Sequence, residues 1–423
     1  MREDFIHYLW QHKKYNYKDI RTTNDKSLKI LSSGSLNNDS GPDFFNAQLR
    51  INDQLWAGNI EIHMKSSDWY AHSHQNDKAY DNVILHVVWE YDMDILRKDN
   101  SAIDTLELKQ YVSREALNNY RQLFSKTQKW INCESDLGNI DEFLFSTWLE
   151  RLYFERLERK SDEIQALLKK TKNDWEAVLF IMIAKNFGLK VNGESMQSIA
   201  RSINFSILRK EGSSILKMEA LLFGQAGLLS DNLEDAYYQE LKALYDYQKH
   251  KYGLRNDSVI PAKFFRMRPS NFPTIRLAQL AQLYHTKNQL FSDILEAKSV
   301  ERIRDIFSIS PSPFWQTHYT FDKVSKKTNK KISRSFIDLL VINTIIPFKF
   351  SYAKFLGQSM DDEIVQWISE LKSEKNSIVT KFNTLRSISD NAMNSQALIQ
   401  LKSLYCDKNK CLQCAVGNSI LTN

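Results

Sequence analysis

Asp43, Glu61, His63 and Lys65 fall in one short stretch, GPDFFNAQLRINDQLWAGNIEIHMK, residues 41–65. A Pro-Asp pair, Pro42-Asp43, is followed after seventeen intervening residues by Glu-Ile-His-Met-Lys. In a strand alternate side chains share a face, so Glu61, His63 and Lys65 point one way and Ile60, Ile62 and Met64 point toward an apolar layer. Asp43, on the neighbouring strand of a hairpin, joins Glu61 across the ladder. Two carboxylates this close repel each other unless a cation lies between them. Mg²⁺ or Mn²⁺ suits such a pair, because it takes carboxylate oxygens and keeps waters for a substrate phosphate. The cation neutralises charge developing on the phosphate and lowers the pKa of an attacking water. His63, or failing that Lys65, then positions the water or moves its proton. That chemistry is metal-dependent phosphodiester hydrolysis. The plain alternative is a hairpin whose polar residues face solvent.

Two further groups of residues invite metal chemistry. Six of the nine histidines lie in the first 86 residues: His7, His12, His63, His72, His74 and His86. Imidazole ligates metals and titrates near neutrality. His72 and His74 diverge by about 200° if their segment is helical, so they share one ion only if it is a loop. His72 also follows Asp68 at the spacing of a helical side-chain pair. His86, inside an apolar run, reads as a core histidine. The second group is the cysteines. Cys406, Cys411 and Cys414 stand in YCDKNKCLQCAVG, and Cys133 is the fourth. Three thiols on one tight loop, with Cys133 brought to them, make a closed structural site for Zn²⁺ or for an iron–sulfur cluster. The alternative is four reduced free thiols.

The elements that position these residues fall into two textures. EDFIHYLWQHKKY places Phe5, Ile6, Leu9 and Trp10 at helical spacing. Strands are expected at 28–34, 44–52, 54–65, 82–92 and 104–112, with Asn52-Asp53 as a hairpin turn. SSDWYAHSHQNDKAY, 66–80, opens on a Ser/Asp cap signal and is expected to be a helix, with Asp77, Tyr80 and Asp81 at its end. The order is helix, strand, strand, strand, helix, strand. From residue 140 onward amphipathic helices dominate, at 141–170, 174–189, 215–229 and 233–253. The expected division is an α/β domain over 1–115, a junction over 116–139 that carries Cys133, a helical domain over 140–400, and a cysteine motif over 401–423.

The chain has 423 residues, a net charge of +6 and only 12 Gly and 7 Pro, which argues against long disordered linkers. The mild basic excess is compatible with a nucleic-acid partner without requiring one. Lys323, Lys326, Lys327, Lys330, Lys331 and Arg334 crowd 322–334, as either a phosphate-contacting or a solvated loop. Arg266, Arg268 and Arg276 surround two prolines just before a helix. They suit phosphate binding or a salt-bridge role equally. The charged N-terminus lacks the apolar core of a signal peptide, and no apolar run approaches the ~20 residues of a membrane span. The expectation is a soluble, cytoplasmic protein with no membrane partner. Its oligomeric state is not legible.

Pro42-Asp43, then Glu61-Ile62-His63, with the element order above, resembles the PD-(D/E)XK nuclease-like superfamily over roughly residues 1–92. The resemblance implies Asp43 and Glu61 as metal ligands and suggests Glu3, on the first helix, as an extra acidic ligand. It puts the helix of Tyr80 beside the site, where Tyr80 contacts substrate phosphate or is simply buried. DNA or RNA is the implied substrate. The chain departs from the pattern where His63 occupies the place of the usual Lys, so a catalytically inactive, nucleic-acid-binding core is the rival reading, and a helical scaffold protein is the third. Some nucleases of this superfamily hold a cluster with one distant and three C-terminal cysteines, although there the distant cysteine precedes the nuclease motifs. Over its full length the chain is similar to an uncharacterised bacterial family, the domain of unknown function 2851. SGPDFFNAQL, GNIEIHMKSSDW, AYDNVILHVVW, LLFGQAGLL, RMRPSNFPTIRLAQLA and YCDKNKCLQCAVGN carry that likeness.

Overall fold

A computed structural model describes residues 1–37, 39–125, 129–388 and 391–422. It opens with helix α1 (Glu3–His12), followed by strands β1 (Leu28–Ser32), β2 (Ser35–Leu36), β3 (Phe44–Ile51) and β4 (Gln54–Lys65). A short helix α2 (Asp68–Ala71) leads to β5 (Val83–Glu90) and β6 (Thr105–Glu107). The sheet runs β1-β3-β4-β5-β6, with β2 also on β3. β3 is antiparallel to both of its neighbours β1 and β4, while β4, β5 and β6 are parallel. The parallel step from β4 to β5 needs a crossover, which 66–82 supplies.

The hairpin joins Ile51 to Gln54 through Asn52-Asp53, with Asn52 at φ +50. One sheet face is apolar. Ile60, Ile62, Leu85 and Val87 pack there with Phe5, Ile6, Leu9 and Trp10 of α1. The odd positions of β4 therefore turn the other way, as strand alternation requires. Gly58 is needed where β4 passes β5, because a Cβ there would lie 2.4 Å from Ile84 Cγ2 and 2.6 Å from the Asn82 carbonyl oxygen.

Three expected elements differ. Residues 66–80 are not one helix: α2 spans four residues, Ser73 sits at φ +61, and 3₁₀ turns follow at His74–Asn76 and Lys78–Tyr80. The break comes at Ser73, whose left-handed backbone ends α2, while the start of α2 is fixed by Asp92. Its carboxylate takes hydrogen bonds from Ser66 Oγ at 2.8 Å, Ser67 N at 2.9 Å and Ser67 Oγ at 2.7 Å, fixing the chain where a longer helix would begin. The strand expected at 28–34 ends at Ser32 and a second short strand follows at Ser35–Leu36, and 104–112 is a strand only over Thr105–Glu107 before a 3₁₀ turn at Leu108–Tyr111.

Two compact units emerge. One comprises Met1–Trp148, Ser377–Ser387 and Leu398–Asn423; the other comprises Leu149–Asn376 and Ile388–Ala397. The first holds the mixed sheet. Its core also takes in Leu412 and Leu421 from the C-terminal segment. The second is helical, with helices including Trp175–Phe187, Ile215–Gln225 and Ala236–Tyr252 and a two-stranded ribbon at 318–324. Its helical stretch Arg334–Phe355, 22 residues with a π turn at Val341–Ile345, is long and apolar enough to cross a membrane. However, 78% of its most apolar window is buried in the protein, as in a core helix.

Candidate metal centre

Asp43 and Glu61 face each other at the head of the β3–β4 hairpin, where Phe44 pairs with Ile60. The Asp43 amide donates to Glu61 Oε2 at 3.2 Å, and Asp43 Oδ2 accepts the Ile62 amide at 2.9 Å. A bulge between Phe44 and Ala47, with Asn46 at φ +58, allows this crossing. His7 of α1 brings Nε2 to 3.2 Å from Asp43 Oδ2. Burial disfavours the charged imidazole of His7, but the hydrogen bond and charge of Asp43 outweigh it and raise its pKa. Glu3, one helical turn earlier, lies in the field of His7, Asp43 and His72; burial is the main cause that raises its pKa.

Below this pair stand the histidines. His63 is 1% exposed. Its Nε2 lies 3.0 Å from His72 Nδ1 and 3.5 Å from Glu61 Oε1, and His74 Nε2 lies 3.3 Å from the same Glu61 oxygen. One ring nitrogen from each of His63, His72 and His74 falls within 4.8 Å of the others. A tetrahedral ion with ligand bonds of ~2.0–2.1 Å holds its ligand atoms ~3.3 Å apart, and three nitrogens gathered this closely could hold one. The broken helix makes this possible. His72 caps α2, Ser73 reverses the backbone, and His74 returns toward the sheet. His72 and His74 thus meet the condition for sharing one ion, and His72 makes no helical pair with Asp68 through its side chain.

The surroundings orient the rings. His74 stacks on Tyr80 at 3.8 Å between centroids, and Trp69 meets His74 at 5.4 Å and His86 at 5.8 Å. Tyr80 is half-buried in this stack, and its phenol is pushed up to about 12, chiefly by burial. His86, fully buried on β5, places Nε2 2.7 Å from His63 Nδ1, leaving its own Nδ1 buried without a hydrogen-bond partner. Burial, then the neighbouring His74, His72 and His7, pulls the His63 pKa down to about 3. His74 and His86 are likewise lowered, chiefly by burial. Neutral imidazoles are what a metal requires. Burial and then Asp43 push Glu61 up to about 9, so without a cation Glu61 keeps its proton at neutral pH.

The remaining sequence candidates are placed as follows. Lys65 is exposed at the end of β4, where its charge acts on Asp92. Arg266 and Arg268 are exposed. Arg276 is buried, donating to Gln279 Oε1 at 2.9 Å and Asn271 Oδ1 at 2.6 Å, with Phe336 stacked 3.7 Å from its guanidinium carbon. It is a structural guanidinium, not a free phosphate anchor. Lys330 is similarly consumed, donating to the carbonyls of Trp315 and Gln316. His7 was not assigned to the site from sequence, although its place on the face of α1 next to the apolar stripe was a signal. Cys133, Cys406, Cys411 and Cys414 line one cavity elsewhere in the same unit.

Fold and site together define a two-unit α+β and helical protein whose N-terminal sheet carries a histidine cluster able to hold a metal ion. The chain belongs to the family described as protein of unknown function (DUF2851), whose model matches residues 3–377. The string YCDKNKCLQCAVGN lies beyond the matched residues. No curated protein and no solved structure matches the chain.

Proposed function

We propose that the N-terminal unit is a metal-dependent hydrolase centre for phosphodiester bonds of nucleic acid, with His63, His72 and His74 as ligands and Glu61 and Asp43 beside them. The observation that carries this reading is the convergence of three imidazoles with a buried carboxyl group whose oxygen lies 3.3 and 3.5 Å from two of them. Such a nitrogen-rich set suits Mn²⁺, Zn²⁺ or Fe²⁺ better than Mg²⁺, which prefers oxygen ligands and retained waters. A bound ion would supply a lowered water pKa and charge neutralisation at phosphate. The protein's own groups divide the rest. Glu61 takes a proton at Oε1, His7 and Asp43 form a pair able to give or receive one at the rim, and His86 fixes the orientation of His63. The order α1, β1, β3, β4, α2, β5 and the facing of Asp43 and Glu61 support a nuclease-like core, and the basic excess supports an anionic polymer as substrate.

The test is cleavage of labelled single- and double-stranded DNA and RNA with Mn²⁺, Zn²⁺, Mg²⁺ or chelator, beside Asp43→Ala, Glu61→Ala and His74→Ala. Metal-dependent cleavage lost in all three variants supports the reading. Salt-sensitive binding without cleavage would instead establish a catalytically inactive binding core, and neither binding nor cleavage would leave a scaffold.

A further inference from the structure

All four cysteines of the chain meet around one closed, apolar space. Cys133, Cys406, Cys411 and Cys414 line a cavity of about 20 Å³, walled by Leu123, Leu137, Phe382, Leu401 and Val416. They come from three separate local structures. Cys133 stands in a tight turn whose carbonyl accepts the amides of Asp136 and Leu137. Cys406 ends the π-helical turn Leu401–Cys406. Cys411 opens a 3₁₀ turn, and Cys414 immediately precedes the terminal helix Ala415–Thr422. Nothing in chain connectivity obliges Cys133 to meet the others, 273 positions or more away.

Donors surround the sulfurs. Asn132 Nδ2 lies 3.3 Å from Cys411 Sγ, and the amides of Val416 and Gly417 point at Cys414 from the first turn of the terminal helix. Lys402 adds positive charge near Cys406. Gly417 is required here, because a Cβ would fall 2.1 Å from the Cys411 carbonyl oxygen. These groups stabilise thiolates. As thiols, Cys133, Cys406 and Cys414 are all held above their ordinary range, chiefly by burial and also by one another's proximity. Without a cation the site opposes the ionised form; with one, the same burial protects the bond.

The spacing discriminates between cations. Among the described residues no three sulfurs lie within 4.8 Å of one another, whereas the three imidazoles do. Zinc with Zn–S bonds of ~2.3 Å draws its sulfurs to within ~3.8 Å. A polynuclear cluster interposes several iron atoms and leaves its cysteines wider apart. The run Cys406-x₄-Cys411-x₂-Cys414 also has the local spacing of plant-type iron–sulfur proteins, with the distant cysteine, Cys133, placed before the run instead of after it.

We propose that Cys133, Cys406, Cys411 and Cys414 hold an iron–sulfur cluster that fastens the C-terminal segment to the N-terminal unit. Each cysteine loses its thiol proton to solvent as its sulfur bonds iron, so four protons leave on assembly. The cluster closes a loop of some 280 residues by clamping a segment that Leu412 and Leu421 already bury in the sheet's core. It is independent of the histidine centre.

The experiment is anaerobic purification of the full chain, followed by reconstitution with a mixture of ferric and ferrous iron and sulfide, the ferric salt supplying the cluster's Fe³⁺. Iron and acid-labile sulfide are counted per chain, and the reduced protein is examined by electron paramagnetic resonance. The expected result is several iron and sulfide per chain with visible charge-transfer absorption, retained in His74→Ala and lost in Cys133→Ser and Cys414→Ser. Because those variants are vulnerable to misfolding, cysteine alkylation of the native wild type is the second measurement: all four thiols are protected until the cluster is removed by chelator and oxidant. One zinc per chain without sulfide overturns the proposal in favour of a mononuclear site. Four thiols that alkylate freely and bind no metal overturn it altogether.

Discussion

His63 Nδ1 lies 2.7 Å from His86 Nε2, across the parallel pair β4–β5. The contact commits both nitrogens to one hydrogen bond and leaves His63 Nε2 turned toward His72 and Glu61. Outer partners of this kind fix a ligand's tautomer and orientation. His86→Phe keeps the volume and removes the bond. Metal affinity is expected to fall about 10–100-fold, read by titration with a competing chelator. An unchanged affinity would mean that His63 is held by packing alone.

Glu61 makes the metal-free protein sensitive to alkali. Its folded pKa is raised from 4.5 to about 9, first by burial and then by Asp43. The folded state therefore holds this proton more tightly than the unfolded chain. Glu61 costs no stability below pH 4.5, and its contribution worsens as pH rises toward 9, by at most about 1.4 kcal/mol per pH unit. Glu61→Gln does not titrate. In chelator its melting temperature should exceed that of the wild type by a margin that grows from pH 5 to pH 9. Adding Mn²⁺ or Zn²⁺ should reverse the order. Parallel pH profiles would sink the assignment.

Ser73 holds His72 and His74 together by its left-handed backbone at φ +61. A β-branched residue resists that conformation by roughly 1–2 kcal/mol. Ser73→Val should weaken metal binding by roughly 5–30-fold, while Ser73→Gly keeps it. Equal loss in both variants would point to the serine hydroxyl instead of the backbone.

Arg276 and Arg268 separate a structural from a surface arginine. Removing the buried Arg276 guanidinium strands Asn271 and Gln279 and empties the face of Phe336. Arg276→Ala is expected to cost about 2–4 kcal/mol in denaturant unfolding. Exposed Arg268→Ala should stay within about 0.5 kcal/mol. Similar losses in the two would contradict the packing described.

The sequence alone determined what short-range rules control. Alternation in β4 set Ile60 and Ile62 against α1 and turned Glu61 and His63 to the opposite face. Asn52-Asp53 marked the hairpin that brings Asp43 beside Glu61, and the apolar periodicity after residue 140 marked a helical body. These follow from the two-residue repeat of a strand, the 3.6-residue repeat of a helix and local turn sterics. Tertiary structure decided the rest. Asp92, 25 residues beyond Ser67, pins the start of α2, and the left-handed Ser73 ends the helix that 66–80 otherwise favours and so unites His72 with His74. α1 docks on the sheet and carries His7 to Asp43, while helix packing hides Arg276 behind Phe336. Leu412 and Leu421 enter a core built from the first 124 residues and bring three cysteines to Cys133. Each of these depends on which distant surfaces bury one another, a global balance of burial against chain entropy that no local pattern encodes.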